Sequence, residues 1–187
     1  MRRLVLLVLV LAGLTAPAHA DSPTITPDDI GPGHVIVMRH ALAPGTGDPP
    51  DLTLGDCGTQ RNLDDRGRAQ ARALGEALRD AGLTGLSVLS SQWCRCLETA
   101  RLLDVGEVRP FPPLNSFFRW REREADQMAA LRDHLASMPA DAPPTVMVTH
   151  QVVISSLTGV FARSGEAVVV RAGTRPVAVV GRLALER

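Results

Sequence analysis

Lysine and tyrosine are missing altogether: none of the 187 residues is either one, so all 20 basic side chains are arginine. Without lysine there is no Schiff-base amine and no phosphate-loop lysine; without tyrosine there is no phenolic nucleophile. Aromatic residues amount to only 3%, too few for the stacking platforms that hold single-stranded nucleic acid. An excess of positive charge is lacking too, because 20 acidic residues balance the 20 basic ones; no nucleic-acid partner is expected. Long apolar runs are confined to Leu4–Leu14, and nothing after them approaches the roughly 20 residues of a membrane span. What the chain does have is a 45% hydrophobic and 21% charged composition, which excludes wholesale disorder and suits one ordinary domain.

The first 20 residues read as a targeting segment. Arg2 and Arg3 precede the apolar run, and Ala18-His19-Ala20 has the small-x-small form of a signal-peptidase site. Cleavage after Ala20 is expected, leaving residues 21–187 as a single, slightly acidic domain in the periplasm or outside the cell, with no membrane attachment. In such an oxidising compartment three cysteines imply one disulfide and one thiol. Cys94 and Cys96 stand two residues apart, on different sides of a helix, and pair poorly with each other. Cys57 therefore pairs with one of them. Cys94 is favoured, since Cys96 falls on an apolar face with Trp93, Leu97 and Ala100. A zinc site built from the three cysteines and a histidine is the alternative, but the usual C-x₂₋₄-C spacing is absent; no metal is expected.

Along the mature chain, strand and helix patterns alternate. Asp21–Pro32 is rich in Pro and Asp and reads as surface wrapping. His34–Met38 is a nearly continuous apolar run, the mark of a strand buried on both faces. The Gly/Pro/Asp-rich stretch Ala43–Gly58 is long for a plain connection. Asp64 or Asp65 then caps a helix whose Leu74, Ala77, Leu78 and Ala81 share a face, and Gly82 ends it. A strand follows at Leu86–Leu89, and a helix after the Ser90-Ser91 cap. Val108 marks a short strand, Ala125, Met128, Ala129 and Leu135 a helix, Thr145–Val148 a buried strand and Val152–Phe161 another helix. Ala167–Val170 and Pro176–Leu185 read as closing strands. This order predicts an α/β fold: a mostly parallel sheet with helices on both faces.

Such a sheet carries its chemistry at the carboxyl ends of its strands. Two buried strands run directly into Arg39-His40 and Thr149-His150, and right-handed crossovers would bring both ends to one edge. Leu86–Leu89 leads into Ser90-Ser91-Gln92-Trp93-Cys94-Arg95 at a helix N-terminus, an end suited to an anion. Arginine is unfavourable in a first helical turn, so Arg95 there points to an anionic partner. Two arginines and two histidines on one edge make a compact phosphate site, with a histidine able to attack phosphorus.

These motifs resemble the histidine phosphatase superfamily. Val37-Met38-Arg39-His40-Ala41 and Leu63-Asp64-Asp65-Arg66-Gly67-Arg68-Ala69-Gln70-Ala71 are similar to its opening. Ser90 to Ala100, with Arg95 and Thr99, resembles its second arginine motif, and Val148-Thr149-His150 its second histidine. All occur in family order. The resemblance implies a three-layer αβα sandwich with His40 as phosphate acceptor. Arg39, Arg95 and His150 would hold the phosphoryl oxygens, His150 adding charge if protonated, and no cofactor is expected. Arg61 is a further phosphate ligand or, equally, a loop arginine paired with Asp56 or Asp64.

Two departures stand out. Arg-His-Gly becomes Arg39-His40-Ala41. The general acid, a glutamate soon after the third strand in many members, is replaced by Asn115-Ser116. Glu122 and Glu166 are the candidate acids. Glu122 lies in an Arg/Glu alternation typical of a solvated helix start. Glu166 reaches the catalytic edge only if its strand is antiparallel. The expectation is an extracytoplasmic phosphomonoesterase acting on a small phosphorylated substrate through phosphohistidine. The alternatives are an envelope sugar-phosphate phosphatase, similar to heptose phosphatases that share the Arg-His-Ala start and a cysteine-bearing first loop, and a non-catalytic phosphate-binding envelope protein.

Overall fold

The computed structural model describes residues 22–184; the predicted signal segment, residues 1–20, lies outside them. Seven strands form one sheet: β1 (Thr24–Ile25), β2 (His34–Arg39), β3 (Leu86–Ser90), β4 (Gly106–Pro110), β5 (Thr145–Thr149), β6 (Ala167–Arg171) and β7 (Val179–Leu183). Their spatial order is β1-β7-β6-β2-β5-β3-β4. Pairs β1/β7, β2/β5, β3/β5 and β3/β4 are parallel, whereas β6 runs antiparallel to both β2 and β7. Four helices cover it: α1 (Asp65–Asp80), α2 (Cys94–Leu103), α3 (Glu124–Ser137) and α4 (Gln151–Thr158).

Period-two alternation in buried strands divides the core between two faces. Ile36 and Met38 of β2 join Val88, Val146, Val148 and Val169 beneath Leu78 of α1 and Cys96, Ala100 and Leu103 of α2. Val35 and Val37 point the other way, with Met147, Val168 and Val170, toward Met128, Leu131 and Leu135 of α3 and Val153, Ile154 and Leu157 of α4. The result is the αβα sandwich. Of the described segments, the short β1 was missed. Two residues within the Pro/Asp-rich wrap pair with β7, too few to show periodicity.

The helix faces differ in detail from the sequence pattern. Asp64 caps α1 by accepting from the Gly67 amide at 2.8 Å, as expected. Its buried line, however, is Gly67, Ala71, Gly75 and Leu78, with Leu74 and Ala77 only half-buried. Small residues carry that line because α1 lies against backbone. A Cβ at Gly67 would meet the carbonyl of Leu42, and one at Gly75 that of Leu103. In α3 the buried residues are Met128, Leu131 and Leu135, while Ala125 and Ala129 are exposed. The expected Ser90-Ser91 cap of α2 is not one either. Trp93 holds the N-cap position, and the Cys94 amide donates to Gln60 Oε1 at 2.9 Å from the loop after β2.

Candidate active site

Because β2, β5 and β3 are adjacent and parallel, their carboxyl ends share one edge. Arg39 pairs in register with Thr149. One step on, the His40 amide donates to the Thr149 carbonyl at 2.9 Å, and the Ser91 amide to the Val148 carbonyl at 2.9 Å. His40, Ser91 and His150 therefore meet over the sheet edge. Thr99 locks the turn, accepting from the Ala41 amide at 3.0 Å and donating to the Arg95 carbonyl at 2.7 Å. Gln70 of α1 secures the next residues, accepting from the Leu42 amide at 2.9 Å and donating to the Ser164 carbonyl at 2.9 Å.

His40 is held in one tautomer. Its Nδ1 lies 2.7 Å from the Ala41 carbonyl oxygen, which only accepts, so the proton is on Nδ1 and the lone pair on Nε2. That Nε2 accepts from Arg95 Nε at 3.2 Å. The same guanidinium donates through Nη2 to His150 Nδ1 at 3.4 Å, leaving the His150 proton on Nε2, directed at Ser91 Oγ 2.9 Å away. Burial, then the charge of Arg95, pushes His40 down to about 3. The same two causes place His150 well below the ordinary histidine value. Both rings are therefore neutral, and the protonation that would let His150 add charge is disfavoured by burial and by Arg95.

A polar cavity of about 140 Å³ opens above the two rings, lined by Arg39, Arg61, Arg95, Asp48 and Ser116 among others. Arg39 donates to the Ala162 carbonyl at 3.1 Å, while its buried Nε has no partner. Arg61 pairs with neither Asp56 nor Asp64. Its Nε donates to the Gly47 carbonyl at 2.8 Å and its Nη1 to that of Ala43, so it braces the first loop from inside the cavity. Burial and the charge of Arg95 lower both Arg39 and Arg61, the mark of crowded guanidinium groups that an anion would relieve.

Neither candidate acid reaches this cavity. β6 is antiparallel, and the Glu166 carbonyl accepts from the Arg39 amide at 2.9 Å, so its backbone is at the catalytic edge. Its carboxylate nonetheless turns to the Arg163 amide at 2.8 Å and to Arg182 at 3.6 Å, along a separate surface hollow. Glu122 lines the adjoining groove instead. Of the pair replacing the family glutamate, Asn115 accepts from the Gln92 amide at 2.8 Å and Ser116 lines the cavity.

Sequence reasoning missed Asp48, whose carboxylate forks onto Arg95 and accepts from Trp93 Nε1 at 3.2 Å. Its one signal was its place in a loop too long for a simple connection. The Cys57–Cys94 disulfide is present, and Cys96 remains a buried thiol, 3.4 Å from His150 Nε2. Burial raises that thiol to about 12. With Cys57 and Cys94 joined to each other, the zinc alternative loses two of its three sulfur ligands. Among the described residues no three His, Cys, Asp or Glu side chains cluster as a metal site, and no helix is long and apolar enough to cross a membrane.

Two strand-end histidines share one arginine at the edge of an αβα sandwich, beside a cavity lined by three arginines and one carboxylate. Residues 35–133 match the profile of the histidine phosphatase superfamily (branch 1), and the chain belongs to that superfamily. Sequence relatives include the mitochondrial serine/threonine-protein phosphatase Pgam5 of Drosophila grimshawi, 34% identical over 103 residues, covering 47% of this chain and 33% of the relative. The Drosophila virilis protein of the same name is 34% identical over 70 residues, covering 37% of this chain and 22% of the relative. The chain thus spans a third or less of the length of these curated relatives. Among solved structures, the protein histidine phosphatase SixA complexed with tungstate is 16% identical, with a TM-score of 0.53, over 81% of this chain and 97% of its own. Mycobacterial hydrolase 1 is 17% identical, with a TM-score of 0.58, over 78% and 94%. These likenesses are of fold.

Proposed function

We propose that this protein is an extracytoplasmic phosphomonoesterase that works through a phosphohistidine at His40. The observation that carries the reading is the His40 ring, neutral, with Nδ1 anchored to Ala41 and the Nε2 lone pair beside Arg95. Three arginines line the cavity, an excess of positive charge suited to a phosphate dianion. Nε2 attacks phosphorus while Arg95, Arg39 and Arg61 stabilise the equatorial oxygens, and water then hydrolyses the phosphohistidine. His150 takes part as a neutral group that orients Arg95.

The leaving group has room beside the phosphoryl pocket. A wider groove of about 630 Å³, lined by Leu54, Trp93, Trp120, Glu122 and Asp126, shares Ser116 with it. It suits a leaving group large enough to carry a ring, of which envelope sugars are one class. The Cys57–Cys94 bridge supports an oxidising compartment, as does the signal-like leader.

Replacing His40 with Ala is expected to abolish hydrolysis of nitrophenyl phosphate, and wild type rapidly quenched in alkali, where a P–N bond survives, should carry phosphate label on His40. Label on another residue would refute the mechanism. A wild type that binds phosphate tightly yet turns over no ester would instead mark a non-catalytic binding protein.

A further inference from the structure

Phosphoryl transfer to His40 leaves one requirement open, a proton for the departing oxygen, and the identity of its donor rests on the proposed function. Asp48 is the one carboxylate on the cavity wall among the described residues. Its position is built from both sides. Arg61 takes the Gly47 carbonyl at 2.8 Å, and Arg119 takes those of Pro49 at 3.1 Å and Pro50 at 3.0 Å. Farther along, Cys57 fastens the same loop to the start of α2.

The carboxylate lies on Arg95, one oxygen on Nη1 and the other 3.1 Å from Nη2, while Nε of that guanidinium serves His40 Nε2. Arg95 is 3% exposed and Asp48 12%, so water competes little for either. A carboxylate forked on arginine presents two oxygens much as a phosphoryl group does. Asp48 and the substrate thus compete for one edge of one guanidinium, next to the nucleophile.

We infer that Asp48 is the general acid: it holds Arg95 between turnovers, yields that edge to the arriving phosphoryl group, and then protonates the leaving oxygen. The groups facing it explain why the exchange arms it. Burial pushes the Asp48 carboxyl up, but Arg95 and the Trp93 indole, with Arg61 adding its charge, outweigh this and hold it below the ordinary carboxylate range. On Arg95 it is ionised and has no proton to give. A phosphoryl group removes the Arg95 contact, leaves the burial, and brings negative charge alongside, so both changes favour proton uptake.

Each step balances. Asp48 takes one proton from solvent as the ester binds. His40 Nε2 forms the P–N bond while the P–O bond to the leaving group breaks, and the departing oxygen keeps that electron pair and receives the Asp48 proton. Water then attacks phosphorus, the P–N pair returns to Nε2, and the proton lost by water passes to Asp48. When phosphate leaves, that proton returns to solvent and the carboxylate falls back onto Arg95.

Asp48→Asn tests this, because the amide oxygen can still accept from Arg95 and Trp93 but the side chain cannot donate an acidic proton. The expected loss in kcat/KM is about 10²–10⁴-fold for an alkyl phosphate, and under about tenfold for nitrophenyl phosphate, whose leaving group needs little protonation. Equal losses on both esters, or no loss on the alkyl ester, would overturn the assignment. Wild type provides a check independent of folding in the variant. Calorimetric titration with tungstate at neutral pH, in two buffers of different ionisation enthalpy, should show net proton uptake; none would overturn it. If wild type neither binds tungstate nor forms phosphohistidine, the functional reading falls as well. Phosphohistidine on His40 with no leaving-group effect in Asp48→Asn removes Asp48 alone.

Discussion

His40 and His150 sit 5.5 Å apart, ring centre to ring centre, among three arginines, where a second proton on either ring would add charge to an already positive pocket. That has a consequence for stability. Both rings bind protons less readily in the fold than in the unfolded chain, so acidification favours unfolding. The loss begins as pH falls below the ordinary histidine value of 6.5 and, for His40, continues to about 3. Each group contributes up to about 1.4 kcal/mol per pH unit within its window. Urea unfolding at pH 7 and pH 4.5 should therefore show wild type losing about 2–3 kcal/mol more than His40→Asn. Equal losses would mean that His40 is not held neutral by the fold. Both histidines were legible in sequence from their place after buried strands; their charge state was not, because it depends on how completely Arg95 and the walls enclose them. Asp48 was invisible for a related reason. An aspartate among glycines and prolines looks like turn chemistry until the loop closes over Arg95.

Elements were read with uneven success, and α1 shows why. A search for large apolar residues at helical spacing finds Leu74 and Leu78, yet the helix is seated by Gly67, Ala71 and Gly75, with Leu78. Glycine weakens a helix interior by roughly 0.5–1 kcal/mol relative to alanine, so an isolated α1 would gain from Gly75→Ala. In the fold the added methyl would strike the Leu103 carbonyl at the end of α2, and backbone there has little freedom to retreat. Destabilisation of about 1–3 kcal/mol is expected from the overpacking, measured by denaturant midpoint at constant m-value, with kcat little changed. Gly67→Ala should behave differently. The carbonyl it would strike belongs to Leu42, two residues beyond His40, so stability and kcat should fall together. Matching kinetic losses in the two variants would contradict this division between seating α1 and placing His40.

Across the whole molecule, strand alternation carried more information than any single element. Parallel β2, β5 and β3 follow from the helices between them, and with that order the three strand ends must converge. The reversal of β6 was left open in sequence, because a run such as Ala167–Val170 has no direction in its composition; it reads as buried either way. The disulfide belongs to this scale too, since it joins the first loop to α2 across 37 residues of chain. In the unfolded chain it closes a loop that includes all of α1 and β3, and a bridge of this kind typically contributes about 2–4 kcal/mol. Converting both Cys57 and Cys94 to Ser should lower the unfolding free energy by about that amount. Chemistry should respond selectively. His40 is anchored through the backbone of Ala41 and Thr149, away from the bridge, so phosphohistidine should still form. Asp48 is carried by the tethered loop, so hydrolysis of alkyl phosphates should fall more than that of nitrophenyl phosphate. A bridge-free protein that keeps wild-type selectivity between the two esters would show that Arg61 and Arg119 hold the loop unaided.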